Sequence, residues 1–314
     1  MTEQRVVSPE ELFPEVPESI FLFRSCTGSM EYPGTENAIK EVMNKLGVKI
    51  VMDPDQTCCS GYLLTCSVYK PELSLAVTAR NLAIVERQNL DTYMFCNGCY
   101  GYNRELAHIM KHNPAYMQMA NDVIGKQGYK YEGKTEIHHV QELWYRLKDE
   151  IAAKVVRPLK GLKVGVHYGC HYLAQQYRIL DDGGYPTFHE EIIAAIGGTP
   201  VFYKERQACC GYSVGRGFTH KEETVQPHLY KKFKSAKEAW VELMTTTCPG
   251  CNVGLDREQP NLNKRYEDEF NIPVIDIAQL IALALGVPLK KLGFEANTIS
   301  LDGILNRLGI ERGE

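Results

Sequence analysis

Eleven cysteines stand out in this 314-residue chain, and ten of them fall into two matched sets. The first set is Cys26, the adjacent pair Cys58 and Cys59, and Cys96 with Cys99 in Cys-Asn-Gly-Cys. The second is Cys170, the pair Cys209 and Cys210 in Cys-Cys-Gly, and Cys248 with Cys251 in Cys-Pro-Gly-Cys. Corresponding residues lie 144 apart at the first position (26 and 170), 151 apart at the pairs (58 and 209) and 152 apart at the Cys-x-x-Cys (96 and 248). A near-constant offset over five positions implies internal duplication. Cys66 stands outside the pattern, its counterpart at an offset of 151 being Gly217, and it reads as a structural cysteine, a residue type commonly buried.

A Cys-x-x-Cys sets two sulfurs close enough to share one metal or cluster, and suits zinc, a redox dithiol or iron–sulfur alike. The adjacent pairs narrow the choice, because neighbouring cysteines form a disulfide only in a strained ring and simple tetrahedral zinc sites rarely take neighbours. Five sulfurs per set exceed the four that zinc or an ordinary cubane cluster requires; a cluster with an extra or bridging thiolate would use all five. Two readings compete with it. Zinc could occupy one half with four of the five sulfurs, and cysteines can be small apolar fillers, although ten at matched spacing weigh against that.

The remaining composition excludes several classes. A net charge of -4 with no long basic run gives no sign of a nucleic-acid partner. Residues 1–18 are acidic and contain proline, without the charged-then-apolar order of a secretory signal, so a cytoplasmic location is expected. That compartment keeps thiols reduced, which favours metal or redox chemistry over disulfides. The apolar stretch 272–289 is interrupted by Asp276, Gln279 and two prolines; falling short of the ~20 residues a membrane span needs, it is expected to be a buried helix. Gly183-Gly184 and Gly197-Gly198 lack the spacing of a phosphate-binding loop, so no flavin or nucleotide is expected in this chain.

The elements that must position the thiols repeat too. Strand-like apolar runs at 20–23 and 162–167 lead into the first cysteine of each set. Helical patterns at 37–46 and 189–196 follow, each ending at glycine (Gly47 and Gly197), then short strands at 48–52 and 199–203 that run into the Cys-Cys pairs. Long helical patterns at 73–88 and 221–238 precede strands at 92–95 and 242–247, which deliver the Cys-x-x-Cys. The expected fold is therefore α/β, with two pseudo-symmetric halves, each a Rossmann-like parallel-sheet half with cysteines at the strand C-terminal ends, where ligands of open parallel sheets collect. Residues 112–161, with a helical pattern at 139–154, and 289–314 fall outside the repeat. Arg157-Pro158 marks a boundary between a first domain, 1–158, that includes the inter-domain helical segment, and a second, 159–314.

The doubled pattern Cys, Cys-Cys-Gly, Cys-x-x-Cys resembles the cysteine-rich CCG domain. A free-standing chain of two such domains, with Cys-Thr-Gly at 26–28 and Gly-Cys-His at 169–171, is similar to the B subunits of methanogen heterodisulfide reductases over roughly residues 20–285. The resemblance implies a noncubane [4Fe-4S] cluster on Cys26, Cys58, Cys59, Cys96 and Cys99, and a second on Cys170, Cys209, Cys210, Cys248 and Cys251. The two clusters would face a cavity in which the mixed disulfide of coenzyme M and coenzyme B is reduced to two thiols. It also implies partners: a ferredoxin-like C subunit, a flavoprotein A subunit that performs electron bifurcation, and a hydrogenase or formate dehydrogenase. One departure stands out: the first pair reads Cys58-Cys59-Ser60-Gly61, with Ser60 inserted before the glycine.

His171, beside Cys170, is the candidate proton donor, since histidine titrates near neutral pH; a structural or surface histidine is the plainer account. Arg178, Lys204, Arg206 and Arg216 are candidate cations for the substrate's acidic groups, and His138-His139 reads as a buried strand end. Related proteins also serve quinone-linked dehydrogenases for succinate, lactate or glycolate and sulfur-oxidising complexes. Several of these carry a fused ferredoxin-like Cys-x-x-Cys-x-x-Cys, absent here. A zinc-bearing scaffold that docks partner proteins is a third, non-enzymatic reading.

Overall fold

The computed structural model describes residues 5–61, 64, 68–174, 178–180, 184–212 and 219–311; Cys66 and Arg216 lie outside them. Among the described residues there are ten strands, β1 (Arg5–Val6), β2 (Ser19–Phe23), β3 (Lys49–Val51), β4 (Thr92–Met94), β5 (Ile137–His139), β6 (Lys163–His167), β7 (Arg178–Ile179), β8 (Thr199–Val201), β9 (Leu243–Thr246) and β10 (Val274–Asp276). Two four-stranded, all-parallel sheets run β3-β2-β4-β5 and β8-β6-β9-β10, the same order in each half. The α/β duplication is thus the observed architecture. Near-continuous apolar runs such as Ile20–Phe23, all buried, are what a parallel sheet covered on both faces demands.

The sequence shows three strands per half; the structure adds a fourth. β5 and β10 each lead directly into a helix, Val140–Arg146 and Ile277–Ala284, through the same reciprocal cap: His139 with Glu142, and Asp276 with Gln279. Read in that register, His-Val-Gln-Glu-Leu at 139–143 matches Asp-Ile-Ala-Gln-Leu at 276–280. The segment 112–161, expected to lack a counterpart, therefore contains one, and the stretch 272–289 is a strand followed by a buried helix rather than a helix alone. Three-residue strands are too short for an alternation signal, which is why the unit is silent in sequence. The pattern at 221–238 is likewise divided, into Lys221–Thr224 and Gln226–Glu238, because Pro227 opens a new first turn.

These fourth units tie the halves together. Helix Ile277–Ala284 packs on Pro33–Leu46 of the first half, and Phe188–Ala195 of the second half packs on Val140–Arg146. The short helix Cys26–Glu31 lies against Pro249–Arg257, and Cys170–Leu173 lies against Asn97–His112. β1 pairs in parallel with β7, crossing from the N-terminus into the second half. The contacts come in pseudo-symmetric pairs, and one apolar core continues through both halves. At Gly34 the chain approaches so closely that a Cβ would stand 2.0 Å from the Leu292 carbonyl oxygen. Among the described residues no helix is long and apolar enough to cross a membrane.

Candidate functional site

The ten matched cysteines lie on the segments that follow the carboxyl ends of strands. β2 and β6 are followed by helices that begin at Cys26 and Cys170. Cys96 and Cys248 are the N-caps of Asn97–His112 and Pro249–Arg257, so that Cys99 and Cys251 fall at the third helical position. Free backbone N–H groups and the helix dipole here would support a thiolate, but hydrogen bonds with neighbouring cysteines and burial hold Cys96, Cys99 and Cys251 above the ordinary thiol value, and only Cys248 of the four is lowered. The pairs lie on the loops after β3 and β8, and the residue following each pair is left-handed: Ser60 at φ 59° and Gly211 at φ 72°.

That geometry corrects the reading of Ser60 as an insertion. Ser60 and Gly211 are 151 residues apart, so Ser60 occupies the glycine's own position and adopts a conformation most side chains avoid. The next residues have exchanged places with their contacts. Gly61 receives the Tyr102 ring, where a Cβ would be 2.1 Å from Tyr102 Cδ2, whereas Tyr212 lies against Gly254. One tyrosine per half thus fills equivalent space from opposite elements.

All ten cysteines converge. Cys58 Sγ is 3.5 Å from Cys26 Sγ, Cys170 Sγ 3.5 Å from Cys209 Sγ and Cys210 Sγ 3.2 Å from Cys251 Sγ. The two sets meet where Cys96 Sγ stands 3.8 Å from Cys248 Sγ. A cavity of about 370 Å³ lies between the halves, walled by nine of the ten cysteines together with Tyr102, His171 and Tyr212. Cys209 stands behind that wall, held against Cys170, with the Gly211 N–H donating to its sulfur at 3.3 Å.

Thiols this close share protons. Hydrogen bonds from Cys170 and Cys210, with the Gly211 N–H, pull Cys209 down to about 2, while the hydrogen bond to Cys209 pushes Cys170 up. Cys248 is lowered by hydrogen bonds from Cys251 and Cys96, and Cys59 by Cys58 and Cys99. Each set is therefore a bank of sulfurs in which some are ready to be thiolates and the rest hold protons that metal ions would displace. The chemistry of this donor set fits iron–sulfur ligation.

The halves are braced at this point by Asn97, between Cys96 and Cys99. Its Nδ2 donates to the Tyr168 carbonyl at 2.8 Å and its Oδ1 accepts from Thr247 Oγ1 at 3.2 Å, so one buried amide joins the exits of β6 and β9 in the second half. Asn97→Ala should lower stability by about 1–3 kcal/mol, through the carbonyl left without its donor, and denaturant titration of the anaerobic protein measures it.

The remaining sequence candidates divide. His171 lies on the cavity wall, edge-on to Tyr102 at 5.1 Å between ring centroids. His138 and His139 are a buried strand end, as expected; His139 caps the next helix and is held neutral by burial, its pKa near 3. Arg206 is not available to a ligand. It is buried, paired with Glu190 at 2.7 Å and stacked 4.2 Å over Tyr185, so packing rather than proximity in sequence decides its role. Lys204 is exposed and does not line the cavity, and Arg216 and the Arg178 side chain lie outside the described residues.

Sequence reasoning missed His167. Its ring nitrogen and the sulfurs of Cys210 and Cys251 lie within 4.8 Å of one another, all buried. The available signal was register: at the 144-residue offset His167 stands where the first half has Phe23.

The sequence matches the cysteine-rich domain family CCG twice, over residues 20–104 and 164–256. It is 33% identical, over 281 residues, to the B subunit of the ferredoxin/F420H2-dependent CoB–CoM heterodisulfide reductase of Methanosarcina acetivorans, covering 88% of this chain and 93% of that one. It is 28% identical, over 279 residues, to the 8-methylmenaquinol:fumarate reductase membrane anchor subunit of Wolinella succinogenes, covering 88% and 95%. The crystal structure of a hypothetical protein from Helicobacter pylori shares the fold, with a TM-score of 0.70 at 16% identity over 91% of this chain, which spans about half (53%) of that structure. Two matched cysteine sets, two like-ordered parallel sheets and near-complete coverage of the Methanosarcina subunit place the chain in the CCG cysteine-rich domain family, in the two-domain form of heterodisulfide reductase B subunits.

Proposed function

We propose that this chain is the disulfide-cleaving subunit of a heterodisulfide reductase and that each five-cysteine set holds one noncubane [4Fe-4S] cluster. The observation that carries the reading is the meeting of both sets on a single cavity, with Cys96 and Cys248 3.8 Å apart. The first cluster would be held by Cys26, Cys58, Cys59, Cys96 and Cys99, and the second by Cys170, Cys209, Cys210, Cys248 and Cys251. Bound there, the clusters supply single electrons and iron sites that accept a thiolate. The substrate is the mixed disulfide of coenzyme M and coenzyme B, and the overall change is one disulfide, two electrons and two protons to two thiols.

The protein's own contribution is placement and protons. Tyr102 and Tyr212 wall the cavity with rings that limit water around the reacting sulfurs. His171 is the residue on that wall positioned to deliver a proton to a departing thiolate. Electrons come from partner proteins, a ferredoxin-like C subunit and a flavoprotein A subunit, with a hydrogenase or formate dehydrogenase beyond them. We place the complex in the cytoplasm.

Similarity to the fumarate reductase subunit favours a second reading, in which the same clusters pass electrons without splitting a disulfide. Anaerobic purification with metal analysis, followed by a reduced-viologen assay on the coenzyme M–coenzyme B disulfide, separates the possibilities. About eight irons with acid-labile sulfide and turnover support the reductase; iron without turnover favours the transfer role. Zinc with little iron, for which His167, Cys210 and Cys251 offer donors, sinks both.

A further inference from the structure

The two cysteine sets are matched, but their surroundings are not. At the 151-residue offset, Asn81 of the first half corresponds to Lys232 of the second. Both are wholly buried on the long helix behind their cysteine pair, and both brace the loop that carries it. Asn81 Nδ2 donates to the carbonyls of Thr57 at 3.2 Å and Cys58 at 3.3 Å, and its Oδ1 accepts from the Thr57 N–H at 3.0 Å. Lys232 Nζ donates to the carbonyls of Glu205 at 2.5 Å and Arg206 at 3.1 Å, and to the Tyr203 hydroxyl at 3.4 Å.

Those partners favour the ammonium form of Lys232. The Tyr203 hydroxyl gives its one proton to the Val166 carbonyl at 3.0 Å, so toward Lys232 it can only accept. Three acceptors call for three N–H groups, which the charged form has and the neutral amine lacks. Two cations are buried among the described residues, and Arg206 is neutralised by Glu190. The partners of Lys232 are neutral, and a buried charge without a counter-ion is costly. Burial pushes the Lys232 ammonium down to about 7, and the negative charges that oppose the fall are those of Cys210, Cys251, Glu205 and Cys209. His167, replacing Phe23, adds a polar ring beside Cys210 and Cys251.

We propose that Lys232 makes the two cluster sites electrically unequal, holding a cluster on the second cysteine set at a higher reduction potential than one on the first. A fixed positive charge stabilises the added electron more than the oxidised state, and in a buried site that effect is weakly screened. A single electron reaching this chain therefore resides on the second set, and the two sulfurs of a bound disulfide face inequivalent iron sites. The inference rests on the iron–sulfur reading above and goes beyond it, since equal ligand sets alone would leave the clusters alike.

Anaerobic redox titration followed by electron paramagnetic resonance tests it, on the whole protein carrying Lys232→Gln, Lys232→Asn or Lys232→Arg. The neutral variants should weaken reduction of one cluster at least tenfold in equilibrium constant, about 59 mV for one electron, and move the other less than threefold. Lys232→Arg, which keeps the charge, should stay within threefold of the parent. The shift should persist in a Cys59→Ala background, which removes a first-set ligand. Lys232→Asn installs the first half's residue and provides a neutral variant should Lys232→Gln not fold. Unmoved potentials in an iron-replete neutral variant, equal movement of both clusters, or an equal fall in Lys232→Arg overturns the inference and leaves the function standing. Absence of iron from the parent protein overturns both.

Discussion

Cys209→Ala and Cys59→Ala are each expected to lose about half of the iron and to reduce the disulfide at no more than background rate with viologen as donor. The expectation follows from what these sulfurs do in their sets. Cys209 sits 3.5 Å from Cys170 and accepts the Gly211 N–H, so it is, with Cys248, one of the two members of the second set held toward the thiolate. In the first set the lowered sulfur is Cys59, the counterpart of Cys210, which is buried and held down by Cys58 and Cys99. A thiolate ready to coordinate without expelling a proton contributes more to metal affinity than its protonated neighbours. If the two clusters jointly split one disulfide, losing either ends turnover, whereas a chain that merely docks partners would keep its fold and its complex. Undiminished activity in either variant would end the reductase assignment.

Arg206→Met should cost about 3–5 kcal/mol at neutral pH, the usual consequence of leaving a buried carboxylate without its cation, and should lower the thermal midpoint by roughly 5–15 °C. Glu190 accepts hydrogen bonds from both Arg206 and the Tyr168 hydroxyl inside a wall of aromatic rings. Burial already pushes the Glu190 carboxyl up, with Tyr168 and Arg206 opposing the rise. Without Arg206 the folded-state pKa climbs further. An acid with a raised folded pKa is favoured in the fold when protonated, so stability falls as pH rises from the ordinary carboxylate value through the raised one. The deficit relative to the parent should therefore be largest at pH 7.5 and shrink by pH 5.5. Denaturant midpoints at the two pH values measure it, and a pH-independent deficit would mean that lost packing, not the stranded carboxylate, is responsible.

Arg206 also shows how far a linear reading reaches. Its closeness to the Cys209-Cys210 motif made it a candidate for meeting an acidic substrate, yet Glu190, 16 residues away, claims it. Nothing local in sequence distinguishes a cation that faces a cavity from one that is stacked behind it. Lys232 and Asn81 give the same lesson in reverse: each looks like an ordinary helix residue until the loop it braces is known.

The linear order of residues was sufficient for the duplication, the α/β class and the delivery of cysteines by strand exits, because these depend on spacing and on periodicities a few residues long. Glycines at helix ends were equally legible; Gly47 and Gly197 take φ of 79° and 86° at the ends of their helices, a local steric matter. Only the folded chain decided the rest. The fourth βα unit of each half, the approach of Cys96 to Cys248 across 152 residues, the equivalence of Ser60 with Gly211 and the pairing of Gly61 with Tyr102 all arise from packing one half against the other. Side-chain period and turn chemistry are written locally, whereas the partner of a buried charge or thiol is set by which surfaces exclude water together, and that is a property of the three-dimensional contact rather than of any stretch of the chain.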